Sequence, residues 1–232
     1  MSVDTRTYKQ QAGEAAAALV EPGMVVGLGT GTTTIFAIRR IAARLRSGEL
    51  TGLFAVATSI ATAAAARALG IPLLDDEIPR AIDLTIDGAD EVDPALELIK
   101  GKGGALLREK IVAQASDRVV IVVDASKLSD ALGHRALLPV EVIVWGWQAQ
   151  LRYLSGIGAA VTVREAAGNR YMTDGGNLIL DCSFGTITDP AGLAARLEAR
   201  AGIVGHGLFV GTTDDVIVAG PNGIEHHHRV PG

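Results

Sequence analysis

The chain has 232 residues, 48% of them apolar and 20% charged, with a formal net charge of −5 and a pI near 5.5. That length suits one medium domain or two small ones, and the acidic balance argues against a broad nucleic-acid or anionic-membrane surface while leaving room for a local basic pocket. A single cysteine, Cys182, excludes an intrachain disulfide and points to a reducing compartment.

The N-terminal stretch SVDTRTYKQQAGEAAAALV has acidic residues and helical periodicity where a secretory leader would have a basic start and an unbroken apolar run. No segment approaches a membrane span in length, so the expected location is the cytoplasm. From residue 24 a rhythm sets in of short apolar strand, polar or glycine turn, and helix. MVVGLG (24–29) leads through GTTT to the helical IFAIRRIAARL. FAVA (54–57) leads to TSIATAAAARALG, rich in helix-favouring alanine and stopped by Gly70. IDLTID (82–87) leads to GADEVD, and RVVIVVD (118–124) leads to ASK. Apolar runs too short for helices, separated by helices, indicate a parallel sheet buried on both faces. The fold class expected is α/β, with a doubly wound, mostly parallel, Rossmann-like sheet.

Near Gly133 the character changes. VEVIVW (140–145), a helix around QAQLRYL, and AAVTVRE (159–165) come first. A hairpin in NRYMTDGGNLILDC follows, turning at Asp174-Gly175-Gly176-Asn177. The proline-led helix PAGLAARLEAR and the strand IVGHGLFV complete the order βαββαβ of a small ferredoxin-like α+β unit. DVIVAG near the end could rejoin the first sheet, making the small domain an insertion. The expected division is therefore 1–132 plus 206–232 for a catalytic α/β domain and 133–205 for the small one. EHHHRVPG, with His226, His227 and His228, reads more readily as a tag remnant or solvated tail than as a metal site.

Ligands of open α/β sheets bind outside the carboxyl ends of the strands, and four such ends carry polar clusters: 29–34, 58–59, 87–90 and 124–127. GLGTGTTT (27–34) offers helix-start amides and the hydroxyls of Thr30, Thr32 and Thr33, either as a phosphate cradle or as a tight Thr-capped turn. It is not a Walker loop, since no Gly-Lys-Thr follows. Nor is it the dinucleotide fingerprint, since the third glycine falls at 31 instead of 32. In DGADEVD, Asp87 continues a buried strand and Asp90 lies one turn on, so both could face one pocket and handle sugar hydroxyls. Glu91 and Asp93 read as turn caps or a solvated face.

In IKGKGGALLREK, Gly101, Gly103 and Gly104 permit a nest of amide donors, and Lys100 adds a positive charge. Glu109 lies more than one turn into the following helix, with Ala105 and Ala113 four residues away on either side. That strip of small apolar side chains would desolvate the carboxylate and raise its pKa toward the range of a general base. The alternative is a surface glutamate paired with Arg108 or Lys110.

Taken in order, GLGTGTTT, the TS at 58–59, DGADEVD, LIKGKGGALLREKI, VVDASK, LPVEV and TDGGNLILD cover nearly the whole chain and resemble ribose-5-phosphate isomerase of the A type. DGADE followed at this spacing by KGxGGALxREK is the specific part of the pattern. The resemblance implies isomerisation of D-ribose 5-phosphate and D-ribulose 5-phosphate through an enediolate, within the non-oxidative pentose phosphate pathway. It also implies a phosphosugar as the small-molecule partner, no metal, no organic cofactor, and a homodimer or homotetramer, while the charge balance and the lack of a long apolar segment argue for no nucleic acid and no membrane.

By the same resemblance Glu109 is the proton acceptor. Asp87 and Asp90, with Gly88 and Ala89 between them, bind sugar hydroxyls and assist ring opening. Lys100 and the amides of Gly101, Lys102 and Gly103 match the loop that stabilises the oxyanion. Thr30, Gly31, Thr32 and Thr33 match the family's TGST substrate loop, and Lys127 matches the lysine after the VxDxSK strand. Lys9 aligns more loosely, as a phosphate contact.

There are two departures from the family pattern. Thr32 replaces the usual serine and keeps the hydroxyl. Lys102 stands where many members have glycine, which puts the loop backbone in question because non-glycine residues resist positive φ. Trp145, Trp147 and Tyr153 could be interface aromatics or core. The alternative function is a non-catalytic sugar-phosphate sensor of related fold, which would have no need of Glu109. A nicotinamide-dependent dehydrogenase is disfavoured by the misplaced glycine and by the absence of an acidic residue after FAVATS.

Overall fold

The computed structural model describes residues 5–74, 78 and 80–229. Two compact units emerge: one holds residues up to Gly88, Arg108–Lys127 and the chain from Thr212, and the other holds Ala89–Leu107 and Leu128–Gly211.

The first unit is built on a six-stranded sheet. Its spatial order is Gly223–His228, Asp215–Gly220, Val119–Asp124, Leu84–Asp87, Val25–Leu28 and Phe54–Ala57. The last five run parallel. Val25–Leu28, Leu84–Asp87 and Val119–Asp124 are buried at every position, which explains why they are mainly apolar and do not alternate with polar residues.

Alternate residues serve opposite faces of this sheet. Val26 and Leu28 pack with Ala12 and Ala16 of the helix Thr5–Ala17 and with Ile38 and Ile41 of the helix Thr34–Arg46. Val25 packs instead with Val56 and with Val112 of the helix Leu106–Gln114. The sheet is therefore doubly wound. Burial of each such Val, Leu or Ile contributes about 1.5–3 kcal/mol. Because the strands are parallel and in register (Leu28 beside Ala57 and Ile86, Asp87 beside Ile121), their carboxyl ends share one end of the sheet. That end carries the four polar clusters found in the sequence.

The expected tail is a strand. Gly223–His228 turns back on Asp215–Gly220 across Pro221-Asn222 and pairs antiparallel along its whole length, with His226 opposite Ile217 and His228 opposite Asp215. His228 bonds the Asp215 carboxylate, which also accepts from Arg118 Nε at 2.6 Å. The histidines are thus part of the sheet. Their polarity suits its exposed edge.

The second unit contains a four-stranded antiparallel sheet in the order Ile203–His206, Leu138–Val142, Leu178–Ser183, Ala160–Val163. The helices Trp147–Gly156 and Pro190–Glu198 complete a βαββαβ chain with strand order 4-1-3-2, the ferredoxin-like arrangement. Val140, Val142, Leu154, Leu178, Leu180 and Leu197 lie in its core. The Thr173–Asn177 turn forms where the sequence places it, with the Thr173 amide bonded to the Asn177 carbonyl at 2.9 Å. The preceding NR pairs elsewhere, folding back on Glu165–Ala166 across Ala167-Gly168.

The unit boundary differs from the expected 1–132 and 206–232 against 133–205. Glu91–Val92, Leu98–Ile99 and Leu208–Phe209 form a three-stranded antiparallel sheet inside the second unit. Glu91 adds the stronger tie. It is 0% exposed, and its carboxylate accepts the amides of Gly133, His134, Arg135 and Ala136 at 2.9–3.1 Å. The solvated-face reading of Glu91 is thereby corrected: four backbone donors solvate it in place of water. Asp93 does cap a turn, accepting the amides of Ala95 and Glu97.

Candidate active site

In the first unit the strand Val25–Leu28 ends at Gly29, whose amide bonds the Ile86 carbonyl at 2.9 Å. A Cβ here would lie 2.1 Å from Asp87 Oδ1, so only glycine lets the loop pass this carboxylate. Asp87 is 1% exposed, and Oδ1 accepts the amides of Gly88 at 2.7 Å and Thr30 at 3.2 Å. Such amide donors replace part of the hydration lost on burial.

The Thr30 hydroxyl is the hub of a small network. It bonds Thr58 Oγ1 at 2.8 Å, Ser59 Oγ at 2.7 Å and Thr62 Oγ1 at 3.0 Å. Thr58 and Thr62 donate in turn to the carbonyls of Leu28 and Gly29, and Ser59 caps the helix Ile60–Ala68 by accepting the Thr62 amide. The TS at 58–59 therefore shapes the loop. Gly31 sits at φ +145°, and Thr34 donates to its carbonyl at 3.1 Å. Thr33 opens the helix Thr34–Arg46 without a side-chain cap bond, and Thr32 is exposed and accepts from Lys9 Nζ at 2.9 Å. The amides of Ile35 and Phe36 bond the carbonyls of Gly31 at 3.4 Å and Thr33 at 3.1 Å, which ties the first turn of this helix back onto the loop.

Glu109 lies in the helix Leu106–Gln114 and is 4% exposed, with Ala105 and Ala113 each at 8%. It is not the surface glutamate of the alternative reading. Lys127 ends a 3-10 turn, Ala125–Lys127, whose shape is set by Asp124 accepting the Ser126 amide and hydroxyl.

In the second unit Asp90 is half-buried and its amide donates to the Ile99 carbonyl at 2.8 Å. Its Oδ2 accepts the Lys102 amide at 2.9 Å, so this donor, expected among those for an oxyanion, is held by Asp90. Lys100 is 2% exposed, with Nζ 5.3 Å from the centroid of the Phe209 ring, a cation–π arrangement. The loop turns at Gly101, φ +101°, and Gly104, φ +84°, closed by the Gly104 amide on the Gly101 carbonyl at 2.9 Å. Leu96 and Ala167 are the described non-glycine residues at positive φ, so Lys102 does not need that conformation. Its side chain is exposed.

Two groups of residues escaped the sequence reading. Thr62 completes the Thr30 network, and Arg164 and Tyr171 bond the carbonyls of the Lys100 loop. An arginine near the end of the strand pattern AAVTVRE carries no local signal of that role. Among the described residues, no group of three or more His, Cys, Asp or Glu side chains is disposed to hold a metal ion. Nor is any helix among them long and apolar enough to cross a membrane.

Residues 54–223 match the family model described as ribose 5-phosphate isomerase A (phosphoriboisomerase A). The ribose-5-phosphate isomerase A of Chloroflexus aurantiacus is 57% identical over 97% of this chain and 95% of its own length. That of Desulfatibacillum aliphaticivorans is 52% identical over 93% of this chain and 94% of its own. The solved ribose 5-phosphate isomerase from Plasmodium falciparum superposes with a TM-score of 0.93 at 36% identity, covering 96% of this chain and 98% of its own. A D-ribose-5-phosphate isomerase in complex with phospho-erythronic acid superposes with a TM-score of 0.95 at 36% identity, covering 98% and 100%.

Proposed function

The chain belongs to the ribose 5-phosphate isomerase A family, and we propose that it carries out that family's reaction with the residues described above. It is an enzyme that interconverts D-ribose 5-phosphate and D-ribulose 5-phosphate. Relatives that match it over nearly their full length carry isomerase names, and nothing favours the sensor reading.

Glu109 is the base. It removes the proton from C2 of the open-chain aldose, and the electron pair moves through a C1–C2 double bond onto the C1 oxygen. Returning a proton to C1, with transfer of the O2 proton to O1, gives the ketose. Lys100 and the amides of Gly101 and Gly103 stabilise the enediolate charge, while Asp87 and Asp90, with the Gly88-Ala89 backbone, hold sugar hydroxyls. Lys9, Thr32 and the backbone of Thr30–Thr33 take the phosphate, and Lys127 supplies a further cation. The burial of Glu109 carries this reading, because a carboxylate sheltered from bulk water can meet the C2 proton without competition from solvent. The chemistry assigns no step to a metal or an organic cofactor.

The test is conversion of ribose 5-phosphate to ribulose 5-phosphate, measured with a chelator present. Full activity is expected, and activity that disappears with chelation would overturn the metal-free mechanism. We also propose a cytoplasmic homodimer or homotetramer. Trp145 is 86% exposed, whereas Trp147 and Tyr153 are stacked with Arg170 and Arg200 within their own unit. Trp145 is the better candidate for contact with a second copy, and light scattering would read the assembly directly.

A further inference from the structure

The loop from Lys100 to Gly104 is held from outside by groups that the reaction as described does not use. Arg164 Nη1 donates to the Gly101 carbonyl at 2.9 Å and to the Lys102 carbonyl at 3.0 Å. The rest of the guanidinium is fixed on Asp181, with Nε on Oδ2 at 2.8 Å and Nη2 on Oδ1. Tyr171 lies beside it, with Arg164 Cζ 5.9 Å from the ring centroid, and the phenol donates to the Gly103 carbonyl at 3.3 Å. Three successive carbonyls of the loop are thus captured. The Arg164–Asp181 pair is only 14% and 15% exposed, so solvent screens it weakly.

We propose that Arg164, set by Asp181 and assisted by Tyr171, is a positioning residue for the isomerisation, acting through the amide edge of this loop. The inference rests on the proposed role of the loop in stabilising the enediolate. Two physical effects support it. A carbonyl fixed in a hydrogen bond fixes the amide on the far side of the same peptide plane. A cation on that carbonyl also polarises the peptide and strengthens its N–H as a donor. The Gly101 carbonyl shares its plane with the Lys102 amide, which Asp90 takes. The Lys102 carbonyl shares its plane with the Gly103 amide. Arg164 therefore acts on the enediolate through the Gly103 N–H. Arginine suits this task because one planar fork spans a carboxylate and two carbonyls, which a lysine ammonium cannot do.

The test compares kcat, KM and inhibition by phospho-erythronic acid, whose carboxylate carries an anionic charge of the kind the enediolate develops, in the full chain and in Arg164→Ala. A donor that acts mainly in the transition state should move kcat. The expected result is a kcat loss of about 10- to 100-fold, with KM within about threefold and inhibition weakened by about tenfold or more. Added guanidinium chloride should restore part of the kcat of Arg164→Ala, sodium chloride should not, and neither should restore Glu109→Gln. If the alanine variant does not fold, Arg164→Lys carries the same test with a kcat loss of about tenfold. A kcat within about twofold of the parent, or a loss that follows the melting temperature and ignores guanidinium, would overturn the proposal. Full activity in Lys100→Met would overturn the underlying role of the loop. The two failures are distinguishable by which variant stays active.

Discussion

In the loop Gly29–Thr33 the groups that shape the backbone are neutral hydroxyls, those of Thr30, Thr58, Ser59 and Thr62, joined at 2.7–3.0 Å. In the loop Lys100–Gly104 they are charged, with Arg164 on two carbonyls, Asp181 behind it, and Asp90 on the Lys102 amide. The two loops also differ in exposure: Thr32 faces solvent beside Lys9, whereas Lys100 is 2% exposed. A hydroxyl network holds shape without adding field, so the phosphate proposed to bind there would be attracted mainly by the helix start and Lys9, where water and salt screen the interaction. A buried ammonium with charged supports acts at low local dielectric, where charge developing in a transition state is stabilised far more. The first loop should therefore set how tightly substrate is held, and the second how fast it reacts.

Lys100→Met should break the comparison most visibly. It is expected to lower kcat by about 10²–10³ with little change in KM. Equal losses in both parameters would erase the distinction between the loops. Glu91 offers a control in which the anion cradled by amides is the protein's own. Glu91→Ala leaves four amides without their acceptor and should cost about 3 kcal/mol, lowering the melting temperature by roughly 6–12 °C. A change under about 2 °C by calorimetry would show that water replaces the carboxylate at little cost. Thr30→Val removes the hydroxyl hub and should raise KM about tenfold with kcat within about threefold.

The smallest effect lies away from both loops. Burial works to raise the Asp215 carboxyl, but hydrogen bonds from Arg118 and His228, and their charges, outweigh it and hold the group below the usual carboxylate range. A depressed folded-state pKa contributes stability that is present above the unfolded value of about 3.9 and is lost as pH falls through the folded value. Asp215→Asn should cost about 1–2 kcal/mol near neutrality, and that deficit should shrink below about pH 4 in acid unfolding curves. A deficit that persists unchanged in acid would assign the effect to packing.

Much of this was legible in the chain itself. Strands buried on both faces leave mainly apolar runs, and parallel register brings their polar ends together, so Thr30, Asp87 and Lys127 could be located at the same end of a sheet. The burial of Glu109 was legible from the alanines around it. Glu91 was not, because its partners are amides more than forty positions later, at 133–136, and an amide leaves no mark in the sequence. The same blindness moved the unit boundary, since the tie that draws 89–107 into the second unit is this carboxylate and a three-stranded pairing. His226–His228 were misread because a polar run at an exposed sheet edge looks like a tail until its hairpin partner is seen. Arg164 bonds carbonyls some sixty positions earlier, and spacing cannot reveal that either.

The most direct test of the reaction assigned to this fold is turnover of ribose 5-phosphate by Glu109→Gln, with binding measured on the same sample. The substitution keeps the shape of the side chain and removes its basicity. The expected result is a kcat reduced by about 10³ or more, each tenfold being ~1.4 kcal/mol of transition-state stabilisation, with phospho-erythronic acid still bound. Isomerisation near the parent rate would contradict the assignment of Glu109 as the base.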